Sequence, residues 1–534
     1  MIHLVVITSL TLFYFFISCF DSKRKAKKIA ISLPLTPEEH KSNEGGKVKE
    51  YLDAQLKEEL GFDIDREKAI AIARTDQNLL LRAGPGSGKT TTIAYKIFYL
   101  IKKENIKPEE IMALAFNREA AKKLRIKIRK DFGLKEFQNI KTFHSLAYQL
   151  VKPKNKILYG KEMLKVIEDI VKGVINEEND IIDFKITELF TQFIQRAKKS
   201  EMTPNDIQKE IKINYFGHST GPFLSLANKT YQRYEGYLSM TNRRDFDDLL
   251  KQSIEVIDKT KGECTINIAK GKKIKTNDLK YIFIDEFQDF THLFYNLIDV
   301  IKKYNKDLKL WCVGDSNQAI NGWAGSHLKY FNNFSGYFDN AGVADLLTNY
   351  RSKKVIVEAS NIFMAGEEEQ HSCHASTNNN RGGEIIFKYA RKDDNGSFLQ
   401  GYLKLCLEII VSNPNKSIAI LHRKNEIEEI SLSAFCGQLE ELLGKDELKR
   451  IEISTIHQFK GRESDIIIVL QVCKKIFPLI HPYNVLFKVF GWSQDAILSE
   501  EKRIFFVGIT RAREKLCLLT EIGNESMYIR MLTK

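Results

Sequence analysis

Short apolar runs recur along this chain at residues 79–81, 111–116, 281–284, 310–313, 418–421, 466–470 and 516–520, and each reads as a buried strand. Between them the spacing turns helical, as in REAAKKLRIKIRK at residues 118–130. Strands alternating with helices predict an α/β fold with parallel sheets and phosphate chemistry at the carboxyl ends of the strands. Residues 151–239 keep only the helical, richly charged pattern, which predicts a helical insertion between two stretches of the first α/β unit, 61–150 and 240–340. A second α/β unit is expected over 341–534.

The amino terminus breaks this pattern. Residues 2–20 are almost unbroken apolar sequence, followed by Asp21 and the basic cluster Lys23, Arg24, Lys25, Lys27 and Lys28. No basic segment precedes the run and no small-residue cleavage site follows it, so a secretory signal fits poorly. The favoured reading for residues 1–20 is a membrane anchor whose basic flank keeps the rest cytoplasmic, tethered to the inner face of the membrane. A mis-assigned start and a segment that is never inserted compete with it. Residues 21–60 are charged, carry Pro34, Pro37, Gly45 and Gly46, and read as a tether.

Composition adds a direction. The chain has 534 residues, 43% hydrophobic and 28% charged, with a net charge of +13. That balance suits a globular protein of several domains with a polyanionic partner, nucleic acid first and anionic lipid second. Lysines spread throughout the chain offer a blander source of the same charge. Eight cysteines occur without a C-x-x-C pair, which favours free thiols in a reducing compartment. The cluster His371-Ser372-Cys373-His374 has metal-ligand residue types, but its polar surroundings favour an exposed loop.

The sharpest chemistry follows the first strand. Ala83, Gly84, Pro85, Gly86, Ser87, Gly88, Lys89, Thr90 and Thr91 form a glycine-rich turn opening into a helix. Such a turn aims backbone N–H groups and a helix N-terminus at phosphate, with Lys89 reaching the β/γ-phosphates and Thr90 holding Mg²⁺. The strict motif wants glycine where Ala83 stands. A second apolar strand ends in Asp285-Glu286, a pair suited to metal holding by Asp285 and to orienting or deprotonating water by Glu286. Arg351 in LTNYRS and Arg511 in FFVGITRAREKL supply positive charge for a developing γ-phosphate if the two halves face one another.

The series AGPGSGKT, IMALAFNREAAKKL, TFHSLA, DFDDLL, IFIDEFQDF, WCVGDSNQAINGWAGS, LTNYRS, ISTIHQFKGRES and VGITRAREKL resembles the ordered motifs of UvrD/Rep-type superfamily 1 helicases, over residues 60–520. In that family alanine commonly opens the loop. The resemblance implies two RecA-like P-loop NTPase domains, 1A and 2A, with ATP between them and single-stranded DNA or tailed duplex running across both. It implies that Gln318 senses the γ-phosphate, Tyr350 stacks on adenine, Arg351 and Arg511 contact the γ-phosphate, and Glu463 approaches the ribose. It further implies DNA contacts by Phe116, Thr142, Phe143, His144, Trp323 and His457, with core packing the competing reading for the aromatics. Stacking on aromatic rings suits binding without sequence preference.

Departures from the family pattern carry their own expectations. Asn321 and Ala324 replace an aromatic and an arginine, and Ser464 replaces an aromatic. The adenine-reading glutamine has no clear counterpart: Arg66 stands near its place and Gln77 lies too close to the strand. Few residues separate Arg423 from Ile453, so the accessory domain 2B is expected to be missing or vestigial. The leading expectation is an ATP- and Mg²⁺-dependent translocase or helicase, 3′ to 5′ by resemblance, in DNA repair or in plasmid or phage biology. A membrane-tethered, nucleic-acid-stimulated ATPase acting as a sensor is the alternative. A small-molecule P-loop kinase fits worst, because it would need only one such domain.

Overall fold

The computed structural model describes residues 64–532 apart from 75–76, 179–183, 215–219, 270, 368–371, 428–429 and 481. The anchor and tether expected over 1–60, and His371, lie outside the described residues. Among the described residues no helix is long and apolar enough to cross a membrane.

The first domain begins with α1 (Arg66–Ala73), β1 (Asn78–Ala83), α2 (Lys89–Lys102), β2 (Ile111–Ala115), α3 (Arg118–Phe132), β3 (Ile140–Thr142) and α4 (Phe143–Val151). The chain then leaves the sheet for α5 (Gly160–Glu178), α6 (Phe184–Lys199), α7 (Pro204–Ile213) and α8 (Thr220–Met240). It returns through α9 (Phe246–Lys259), β4 (Tyr281–Ile284), α10 (His292–Tyr304), β5 (Lys309–Gly314) and β6 (Ala341–Leu346). The six strands pair in parallel in the order β3-β2-β4-β5-β1-β6.

Parallel strands must be covered on both faces, and successive side chains point to opposite faces. Leu79 and Leu81 accordingly join Ile93, Ile97 and Leu100 of α2 in one core, while Leu80 joins the core of α9 and α10 on the other face. One expectation needs correction. Residues 341–346 pair with β1 along its whole length, so the first domain runs through Leu346 and the expected boundary at 340/341 moves past it.

The second domain contains α11 (Lys354–Met364), β7 (Glu384–Ala390), α12 (Leu399–Val411), β8 (Ile418–His422), α13 (Leu432–Leu443), β9 (Ile451–Thr455), β10 (Ser464–Val469), α14 (Gln494–Ile509) and β11 (Ala512–Glu521). Its five strands are parallel in the order β7-β11-β10-β8-β9. Between β8 and β9 the described chain forms a short hairpin, α13 and one further turn of helix, an ordinary crossover.

The helices α5–α8 share a core of Val171, Phe190, Phe193, Leu224 and Tyr234. Leu486, Phe487 and Val489 of the turn Pro482–Phe490, which belongs to the second domain in sequence, are buried in that same core. The rings of Phe193 and Phe490 lie 5.2 Å apart. The insertion is therefore bridged to the second domain, a strap that local periodicity does not reveal. At its other end, Lys198 of α6 pairs with Asp245 (2.7 Å) and Asp248 (2.6 Å) of DFDDLL.

Candidate nucleotide site and DNA face

The glycine-rich turn joins the carboxyl end of β1 to the N-terminus of α2. Gly88 caps that helix at φ 87° and Gly86 sits at φ 69°, a left-handed region that glycine adopts without steric cost. A side chain at Gly86 would stand 2.7 Å from Arg351 Cβ and Asn349 Oδ1, and one at Gly84 would stand 2.1 Å from Cys373 Sγ. The turn is thus packed against the segment that follows β6, and Tyr350 N–H donates to the Gly86 carbonyl at 2.9 Å. Lys89 Nζ donates to the Ala83 carbonyl at 2.8 Å and lies 3.7 Å from Asp315 Oδ2.

The acidic pair sits where β4 ends. Asp285 accepts from the Glu286 N–H at 3.0 Å and is hydrogen-bonded by Thr90, and burial with the neighbouring Glu286 pushes its pKa up to about 7. Glu286 is a non-glycine residue at φ 55°, a strained conformation of the kind stored at functional sites. Burial opposes its ionisation, but Lys460 and Lys89 outweigh that and hold its pKa below the usual range. Gln288 donates to Glu286 and accepts from Asp315 N–H at 2.9 Å, fixing the acid to the end of β5. A hydroxyl bonded to a buried carboxylate is an all-oxygen donor pair, which fits a hard divalent cation such as Mg²⁺.

The second domain reaches into this cluster. Gln318 donates to Asp315 and accepts from Arg511 Nη2 at 3.0 Å. Arg511 is 1% exposed; burial, with Arg351 nearby, lowers its pKa to about 9. Arg351 donates to Glu463 and to the Thr510 carbonyl, and Asn349 Oδ1 accepts from the Arg351 N–H at 2.8 Å. Glu463 also accepts from Arg513 Nη2 at 2.6 Å. Burial acts to raise its pKa, yet the two arginines bring it down to about 2. Lys460 Nζ pairs with Asp289 at 2.6 Å, a further bond between the domains. The residues expected to form a cleft from both halves are brought together.

Residues 64–339 match the UvrD/REP helicase N-terminal domain, and residues 427–521 match the UvrD-like helicase C-terminal domain. The chain belongs to the UvrD/REP helicase family. It is 30% identical over 334 residues to the ATP-dependent DNA helicase PcrA of Staphylococcus epidermidis, covering 61% of this chain and 43% of that protein. It is 28% identical over 375 residues to PcrA of Staphylococcus aureus, covering 68% of this chain and 48% of that protein. The chain therefore spans less than half the length of these relatives.

Among the residues expected to contact DNA, this UvrD/REP-family chain departs from several expectations. Phe143 is buried and stacks on Phe294 with ring centroids 4.0 Å apart, so it is a core residue rather than a base-stacking one. The Thr142 hydroxyl is engaged as the cap of α4, accepting from Ser145 N–H at 3.2 Å, so its first role is structural. Phe116 and Trp323 are half-buried, as is His144, which lies edge-on to Phe246. Burial lowers the pKa of His144 to about 4 and that of His457 to about 3, so both rings are neutral at pH 7.

Residues unassigned in the sequence also enter the nucleotide cluster: Gln288, Asp315 and Lys460 through the bonds above, and Lys68, whose ammonium lies 3.9 Å from the centre of the Tyr350 ring. Gln288 was visible inside IDEFQDF. Lys68 was masked by Arg66, two positions earlier on the same short helix.

Proposed function

We propose that this chain is an ATP-driven motor on single-stranded DNA. The observation that carries the reading is the Arg511–Gln318 bond, because it ties an arginine of the second domain to the γ-phosphate sensor of the first. In this reading the loop amides and Lys89 bind the triphosphate, Tyr350 stacks on the base, and Glu463 sits beside the ribose. Glu286, held ionised, orients and deprotonates the attacking water. Arg351 and Arg511 neutralise charge developing on the γ-phosphate oxygens. Thr90 and Asp285 would hold Mg²⁺, which supplies Lewis-acid stabilisation of the phosphate oxygens.

Gln318 exchanges partners as the γ-phosphate leaves, and the shift passes along the few residues that join it to the turn bearing Trp323. DNA then contacts Trp323, Phe116, His144 and His457 along a path over both domains, with movement 3′ to 5′. The short crossover at α13 favours translocation over strand separation that depends on an accessory domain.

The test is ATPase activity of the full chain with single-stranded DNA, duplex DNA and RNA, against Lys89→Ala. Stimulation by single-stranded DNA that Lys89→Ala abolishes is the expected result; equal rates with and without nucleic acid overturn the reading. Stimulation should also fall steeply with salt.

A further inference from the structure

The base-reading position upstream of the loop holds no glutamine, and the fold shows what stands there. Arg66 opens α1, and Lys68 of that helix is buried against the loop. It is 7% exposed, with its Cε 3.5 Å from where a side chain on Gly88 would begin. Its ammonium covers the face of Tyr350 and is ion-paired with Asp65 Oδ2. Asp65 Oδ2 also accepts from the Tyr350 hydroxyl at 2.6 Å, while its Oδ1 caps α1 by accepting Lys68 N–H at 3.0 Å. The carboxylate is thus held at the rim of the ring proposed to carry the base, with the ammonium ion-paired to it and lying over the ring face.

An adjacent donor and acceptor is what a carboxamide offers to a base edge. Adenine presents N7 as acceptor beside the N6 amino donor, whereas guanine presents N7 and O6, both acceptors. Lys68 donating to N7 and Asp65 accepting from N6 satisfies adenine. Guanine would set O6 against the Asp65 carboxylate. The long, flexible lysine stem lets the ammonium move from the ring face to its rim when a base takes the face.

We propose that the Asp65–Lys68 ion pair replaces a glutamine carboxamide as the element that selects adenine over guanine. This rests on the nucleotide-site reading above.

The experiment measures binding without turnover: fluorescent mant-ADP bound to the full chain is displaced by ADP, GDP or IDP. Loss of one charge-assisted hydrogen bond gives an expected ADP-over-GDP preference of at least about 20-fold. Lys68→Met should cut that preference below about 3-fold, and Lys68→Gln should restore it, because the amide again supplies donor and acceptor. Asp65→Ser keeps a helix cap but withdraws the carboxylate, and it should also lose the preference. Equal affinity for ADP and GDP in the unaltered chain, a preference for GDP, or an unchanged preference in Lys68→Met each overturns the proposal while leaving the nucleotide site standing. Failure of mant-ADP to bind at all strikes the nucleotide-site reading itself, and the proposal with it.

Discussion

Gly86 concentrates two demands on one residue, a left-handed backbone and close contact with Asn349 and Arg351. Gly86→Ala adds left-handed strain of about 1–2 kcal/mol to a side-chain clash at the phosphate turn. ATP turnover should drop at least about 10-fold and the melting temperature should fall by about 2–4 °C or more; steady-state kinetics and a thermal melt together check this. Lys198 makes a different residue-scale case. Its ammonium is the shared partner of Asp245 and Asp248, and removing one member of a buried ion cluster leaves its partners uncompensated. Lys198→Met should cost about 3–5 kcal/mol, read from the urea midpoint and from amide protection in α6 and α9. A loss under about 1 kcal/mol would show that the cluster is not what anchors the insertion.

Helix α14 packs its Glu500 against the turn Gly322–Ala324, so closely that a side chain on Gly322 would meet the carboxylate at 2.1 Å. Burial pushes Glu500 up from 4.5 to about 7, with Arg503 and Arg196 facing it and acting in the opposite direction, and Glu501 adding to the rise. Between pH 4.5 and 7 the folded chain therefore holds a proton that the unfolded chain has released, and this group's contribution to stability falls as pH rises through that window. Glu500→Gln should raise the melting temperature by about 2 °C or more at pH 8 and change little at pH 5. A shift of equal size at both pH values would mean that the gain comes from packing rather than from proton linkage.

At the scale of the whole molecule, the links that join what the sequence separates include Gln318 to Arg511, Asp289 to Lys460, and the insertion core to the strap around Phe487. The first is expected to report nucleotide state across the cleft. Arg511→Lys keeps a cation but loses the fork that reaches Gln318, so kcat should fall by at least about 100-fold. Affinity for mant-ADP should stay within about 3-fold, since a group acting mainly in the transition state leaves ground-state binding intact. If affinity and kcat fell together, Arg511 would be serving substrate binding instead.

The sequence by itself determined the features that neighbouring residues build alone. The strand runs, the phosphate turn, the acids ending β4 and the helical character of residues 151–239 follow from local spacing and backbone chemistry. Tertiary structure decided everything that depends on which face of an element is turned inward. Residues 66 and 68 share one short helix, and only its docking sets Lys68 over Tyr350. Phe116 and Phe143 look alike in their motifs, yet packing against Phe294 sends the second into the core. Residues 341–346 joined the first sheet through pairing with β1, and residues 486–489 joined a core formed more than 200 positions earlier. Hydrophobic burial is non-directional and blind to sequence distance, so such partners emerge only when the chain has folded.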